Sequence, residues 1–264
     1  MSREALWQAI IENPEDRTVR LIYADWLEEH SDDPEDLLRA ELIRAQIKVE
    51  EHPPRSRKVS SARRRAKAIL KEWGKQWARG LAPLGSSPEY RAGFIEHIQT
   101  SARNFAQNGQ KILGRFPTIT SVYFHRASNE LDQLLSSNLI PRLRRIDVSS
   151  MCSCGHCAIN REIADLVSSP QMENVTHLNL SDNRLTVETI EVLVRSPHLG
   201  KLRWLDLHNN PLAPQGSIRA MLRLFQAPWL DSLEHLDLRG MTFSQAMRQV
   251  WLSRLGARVV LDPA

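Results

Sequence analysis

The chain is short of several residue types and patterns, and each shortage excludes something. Its 264 residues hold three cysteines, all between positions 152 and 157. An odd, clustered set of that kind is no disulfide framework for a secreted domain. Glycine is scarce, at 11 residues, and neither a phosphate-cradling glycine loop nor a G-x-S-x-G elbow occurs. The expectation is therefore a protein that is not an enzyme. Nowhere do 18 apolar residues run together, so no membrane-spanning helix is expected. The opening MSREALWQAIIENPEDR is charged throughout and holds no apolar run of signal-peptide length. A reducing cytoplasm is the expected setting.

The composition itself is that of an ordinary globular protein, 42% hydrophobic and 25% charged, enough to bury a sizeable core. The net charge of +4 hides a polarity along the chain. Residues 1–52 carry 14 acids against 6 bases, whereas residues 53–80 carry ten Lys and Arg against the single acid Glu72. Such asymmetry means either mutual neutralisation of the two segments or an anionic partner for the basic one.

Residues 1–52 read as three short helices. NPED suggests Asn13 as N-cap with Pro14 at the first helical position, and DPED repeats the device with Asp33 and Pro34. Leu21, Ala24 and Leu27 form an apolar stripe flanked by Ile22 and Trp26. Arg20, Tyr23, Asp25 and Glu28 are expected either in a buried polar network or on a partner-reading surface. RLIYADWLEEHSD followed by RAELIRAQ resembles the short helical repeat-companion domain found ahead of leucine-rich repeats in many bacterial proteins. The match covers roughly residues 3–50, and it implies a bacterial source but no particular activity. Residues 55–79 read as a basic helix with Ile69, Leu70, Trp73 and Trp77 on its apolar side. It is expected to pack on the head and to cap the first repeat of the solenoid.

Beyond residue 89 the chain repeats itself. VTHLNLSDNRL (175–185), LRWLDLHNNPL (202–212) and LEHLDLRGMTF (233–243) fit L-x-x-L-x-L-x-x-N-x-L, with Met241 in place of the asparagine in the third. Leu178 and Leu205 lie 27 residues apart, Leu205 and Leu236 31. ITSVYFHRA and LRRIDVSSM are weaker copies, GFIEHIQTS a degenerate first strand and RVVLD a terminal one, with a helical segment after each repeat strand. Repeats of this length resemble the ribonuclease-inhibitor-like class of leucine-rich repeats. The expected fold is thus α/β: a helical domain at 1–52, a basic helix and linker at 53–88, and a leucine-rich-repeat solenoid of about six strand–helix repeats at 89–264.

The cysteines fall in one strand-to-helix loop, MCSCGHCAIN. Cys154-x-x-Cys157 has the spacing that lets two thiolates reach one zinc ion, and Cys152 and His156 would complete a Cys3His set. Four ligands within six residues are crowded, so plain loop thiols are the first expectation and a structural zinc the second. A thioredoxin-type dithiol ranks last, because the sheet it needs is not expected here. No cofactor is expected otherwise.

Strand residues alternating with the buried leucines should face the concave side. They form three rows: Arg145, His177, Trp204, His235; then Asp147, Asn179, Asp206, Asp237; then Ser149, Ser181, His208, Arg239. Tyr123 and His125 continue them into the preceding repeat. Trp204 is expected to point outward as a binding anchor. The function expected is a protein-interaction module reading a protein partner on that face. The alternative is a nucleic-acid-associated protein using the basic helix on phosphates. The partner and the oligomeric state are left open.

Overall fold

Capping chemistry sets the first helices, α1 (Arg3–Glu12), α2 (Arg17–His30) and α3 (Pro34–Glu50). The computed structural model describes all residues except 54, 86–87, 126–129, 151–158, 211–213, 242 and 263–264, and the side chains of 214–217 and 221. Asp33 caps α3 as expected, accepting from Glu35 N at 2.9 Å with Pro34 in the first turn. The other expected cap differs. Asn13 closes α1, its backbone and side-chain N–H groups both donating to Ala9 O at 3.0 and 3.2 Å. With that side chain turned back as a donor, Asp16 takes the N-cap of α2, accepting from Thr18 N at 2.8 Å.

The chain divides into two units, Met1–Ile98 with Lys111–Thr120, and Gln99–Gln110 with Ser121–Ala264. In the first, Leu6, Ile10, Tyr23, Ala24, Leu27, Ala40, Ile43 and Ile47 share one core with Ala92 and Phe94. The opposite side of α3 packs Leu42 and Ala45 on Ala66, Ile69 and Trp77 of the basic helix α4 (Ser60–Trp77). The acidic head and the basic helix therefore meet through apolar side chains, with the Arg65–Glu41 ion pair at the edge.

This unit also contains a hairpin that the sequence did not announce. Strand β1 (Glu89–Arg91) pairs antiparallel with β2 (Phe94–Thr100), joined by Ala92 and Gly93, both at positive φ (42° and 89°). A Cβ at Gly93 would stand 2.2 Å from Ile43 Cγ1, so only glycine lets the turn lie against α3. The helices hold the turn by its backbone. Arg20 donates to Arg91 O (3.0 Å), Arg39 to Gly93 O (2.7 Å) and Gln46 to Tyr90 O (2.8 Å), while Gln46 Oε1 accepts from Gly93 N (2.8 Å). Arg20 is buried and ion-paired with Glu96, whereas Asp25 and Glu28 are exposed and paired with Arg44. The expected polar network of α2 is thus split between the inside and the surface.

The second unit alternates strands with helices. After β2, with α5 (Ala102–Arg115) between, come β3 (Ser121–Phe124), α6 (Leu131–Ser136), β4 (Arg145–Asp147), α7 (Ile159–Ser168), β5 (His177–Asn179), α8 (Val187–Arg195), β6 (Trp204–Asp206), α9 (Pro214–Leu224), β7 (His235–Asp237), α10 (Gln245–Leu255) and β8 (Val259–Val260). The boundary between the units falls within β2 and within α5. Strands β3 to β8 pair parallel, each with the next in sequence. Leu178, Leu180, Leu205, Leu207, Leu236 and Leu238 are all fully buried, as the repeat alignment requires. Among the described residues no helix is long and apolar enough to cross a membrane.

Asparagines tie the repeats together. Asn210 is buried, donates from Nδ2 to Leu180 O and Leu207 O (both 2.9 Å), and accepts at Oδ1 from Asn183 N (3.0 Å) and Leu185 N (3.1 Å). Asn183 in turn donates to Val148 O (2.7 Å) and Leu180 O (3.1 Å). One side chain thereby satisfies backbone groups of two consecutive loops that no strand partner reaches.

Candidate functional site

The strand register produces the first two of the three expected rows, while Ser149, Ser181, His208 and Arg239 fall in the turns after the strands. Arg145 lies opposite His177, His177 opposite Trp204 and Trp204 opposite His235. Tyr123, Asp147, Asn179, Asp206 and Asp237 form the next row, one strand after another. Strand spacing of about 4.8 Å brings such neighbours into ring contact. The Trp204 indole stacks on His235 at 5.1 Å and 6°, and on His177 at 6.2 Å and 21°. Trp204 is consequently part-covered rather than freely projecting, and what it offers is the edge of a three-ring ladder. His177 is further fixed by Thr176 Oγ1 at 2.9 Å from its Nδ1.

The acidic row has a backbone duty. Asp147, Asn179, Asp206 and Asp237 each accept at Oδ1 from the amide two residues on, in Ser149, Ser181, His208 and Arg239, at 2.9–3.0 Å. The residue after each of those, Ser150, Asp182, Asn209 and Gly240, has positive φ (54°, 57°, 52° and 75°). The chain thus leaves every one of these strands through the same carboxylate- or amide-capped left-handed turn. At Gly240 a Cβ would stand 2.4 Å from Asn209 Oδ1, which explains glycine there.

Charge on this face is internally matched at one end. Arg239 grips both oxygens of Asp237 with Nε at 3.0 Å from each. Burial alone would raise the Asp237 carboxyl, but the Arg239 guanidinium and amide hold it below the usual carboxylate range. His208 bridges two carboxylates, Nδ1 at 2.7 Å from Asp206 Oδ1 and Nε2 at 3.3 Å from Asp182 Oδ2. Asp182 is a member that strand parity could not supply, since its left-handed backbone in the turn is what brings it there. At the other end, burial and then the Asp147 charge push the Tyr123 phenol up. His125 is exposed beside Tyr123, the rings 6.4 Å apart.

Asp206, His208 and Asp237 have one potential ligand atom each within 4.8 Å of the others. Their polar atoms are largely committed, Asp237 to Arg239 and Asp206 Oδ1 to His208. The candidate zinc ligands Cys152, Cys154, His156 and Cys157 lie outside the described residues.

Residues 174–195, comprising β5, its loop and α8, match the leucine-rich-repeat family model. No curated protein matches the chain. A leucine-rich repeat is therefore present at 174–195, on whose strand His177 stands, next to the strand of Trp204.

Proposed function

We propose that the chain is a non-enzymatic, adaptor-type interaction module of the bacterial cytoplasm. In this reading its second unit is a leucine-rich-repeat solenoid of the ribonuclease-inhibitor-like kind, and its strand face takes a protein partner. Leucine-rich repeats commonly mediate protein–protein contact. The observation that carries the reading is the His177–Trp204–His235 stack, flanked by Arg145 in the same row. A partly exposed aromatic ladder amid polar groups costs little conformational entropy to bind against and is typical of interface anchors. Partner capture from the source cell, followed by titration with purified components, tests this. Trp204→Ala should weaken binding roughly thirty-fold or more. The lost ring stack should cost the fold only about 1 kcal/mol, read separately by denaturation. Unchanged affinity in that variant would overturn the reading. The cysteine loop needs no metal here, and one zinc per chain surviving dialysis would revise that.

A second reading has its own support. Arg63, Arg64, Lys67, Lys71 and Lys75 are exposed on α4, and no carboxylate pairs with them among the described residues. Arg65 differs, being held by Glu41 at 2.6 and 2.7 Å. A cationic stripe of that kind suits a polyanion such as nucleic acid. Reversing Arg63 and Arg64 to Glu should then abolish salt-sensitive retention on nucleic acid while leaving binding through Trp204 intact.

A further inference from the structure

The first unit has an open cavity of about 380 Å3 that neither reading above uses. Its walls include Trp7, Tyr23, Trp77 and Phe94 together with Arg39 and Arg115. Three of the rings are mutually packed, Trp7 lying 5.2 Å from Phe94 and 6.3 Å from Tyr23, and Tyr23 6.0 Å from Phe94. The volume is in the range that takes a small organic molecule.

The two arginines give the cavity its chemistry. Arg39 lies over the Trp77 ring at 3.7 Å and spends one donor on Gly93 O. Arg115 lies beside Gly80, where an added Cβ would meet its Cζ, Nε and Nη1 at 3.0 Å, so the absence of a side chain there gives the guanidinium its room. Among the described residues neither has a carboxylate within ion-pair distance. The acids of the wall have partners of their own, one of them Arg3, the third arginine of the lining. Asp36 takes both nitrogens of Arg3 at 2.7 and 2.8 Å and the Ser31 hydroxyl at 2.8 Å. Glu4 serves the start of α1 through Ser2, and Glu35 accepts from Gln76 at 3.4 Å. The Trp77 indole N–H on the same wall is buried without an acceptor. Two guanidiniums with unused planar donors beside an aromatic lining match an anion on a flat apolar body, since guanidinium meets carboxylate bidentately and rings meet rings.

We propose that this cavity is a binding site for a small aromatic carboxylate, its anion on Arg39 and Arg115 and its ring against Trp7 and Phe94. The full-length chain is titrated with phenylacetate, and in parallel with 2-phenylethanol, which has the same ring and no charge, following the tryptophan Nε1–H signals by NMR. Saturable binding of phenylacetate is expected with Kd of about 1 mM or tighter, given the small number of ligand atoms. The alcohol should bind at least about ten-fold more weakly, and Arg115→Gln should weaken phenylacetate at least about five-fold. Arg115 is exposed, so that variant should fold normally, which its thermal denaturation checks. Equal binding of acid and alcohol, wild-type affinity in Arg115→Gln, or no saturation at about 20 mM would each overturn the proposal.

Discussion

Truncating Asn210 to alanine removes four hydrogen bonds of 2.9–3.1 Å, and a longer one to His208 O at 3.4 Å, at a position with no solvent access. Two of them satisfy the amides of Asn183 and Leu185, and two satisfy the carbonyls of Leu180 and Leu207. Each such bond contributes roughly 0.5–1.5 kcal/mol net, and a stranded buried group sits at the upper end of that range. The sum is about 4 kcal/mol, because alanine leaves the backbone groups in place and, of the four, Leu180 O keeps the Asn183 side-chain amide at 3.1 Å. At a urea slope of about 2 kcal/mol/M, the midpoint should fall by about 2 M. Hydrogen exchange reads the same loss locally, as faster exchange at the Asn183 and Leu185 amides. Lys201→Ala, which removes only an exposed bond to Asn174, should stay within about 0.5 kcal/mol of wild type. A cost for Asn210→Ala below about 1 kcal/mol, with those two amides still protected, would refute the account of the loops as side-chain-satisfied.

Other substitutions separate inside from surface. Arg20→Ala leaves buried Glu96 with only the more distant Arg91, at 3.5 Å, and strips the donors from Pro14 O and Arg91 O, so it should cost about 3 kcal/mol by denaturation, whereas Arg44→Ala breaks only the exposed pairs to Asp25 and Glu28 and should cost less than about 1 kcal/mol. Leu205→Ala opens a cavity among fully buried leucines and should cost about 2–5 kcal/mol; a value near zero would contradict the shared core of β5, β6 and β7. Burial pushes the Tyr90 phenol up to about 12, and its hydroxyl donates to Gly74 O at 2.7 Å. The neutral phenol is thus favoured by folding, so its contribution is intact below about pH 10, where an unfolded tyrosine ionises, and is lost as pH rises toward 12. An alkaline absorbance titration should show a tyrosine ionising late, a phase missing in Tyr90→Phe.

The repeat strands are legible in the sequence because parity and period act together. A leucine at every second position can face only one side, and recurrence at 27 and 31 residues aligns Leu178, Leu205 and Leu236, which the sheet then pairs in register. The hairpin at 89–100 is legible only in its second strand, expected from GFIEHIQTS and found as β2. Its turn is Ala92–Gly93 rather than Asn-Gly or Asp-Gly, and its stability comes from Arg20, Arg39 and Gln46, which lie 44 or more residues away in sequence. Nothing local in RAELIRAQ shows that Arg39 and Gln46 point at a backbone turn. The cavity is hidden for the same reason, since its rings and guanidiniums come from separate stretches of chain.

The face of the sheet shows how far a pattern can be pushed. Alternation places Asp147, Asn179, Asp206 and Asp237 beside the ring row, and from sequence both rows are equal candidates for reading a partner. The hydrogen bonds distinguish them. A residue that must accept from the amide two positions on, so that the next residue can turn left-handed, is required by the fold whatever binds outside. No such bond constrains Trp204, whose indole meets its neighbours through ring faces alone. Nor does the backbone require a tryptophan at the start of a short strand, where valine or isoleucine would serve as well. Under the proposed function, a large aromatic where the fold asks only for a strand former carries the contact, and it stands on the strand beside the matched repeat spanning 174–195.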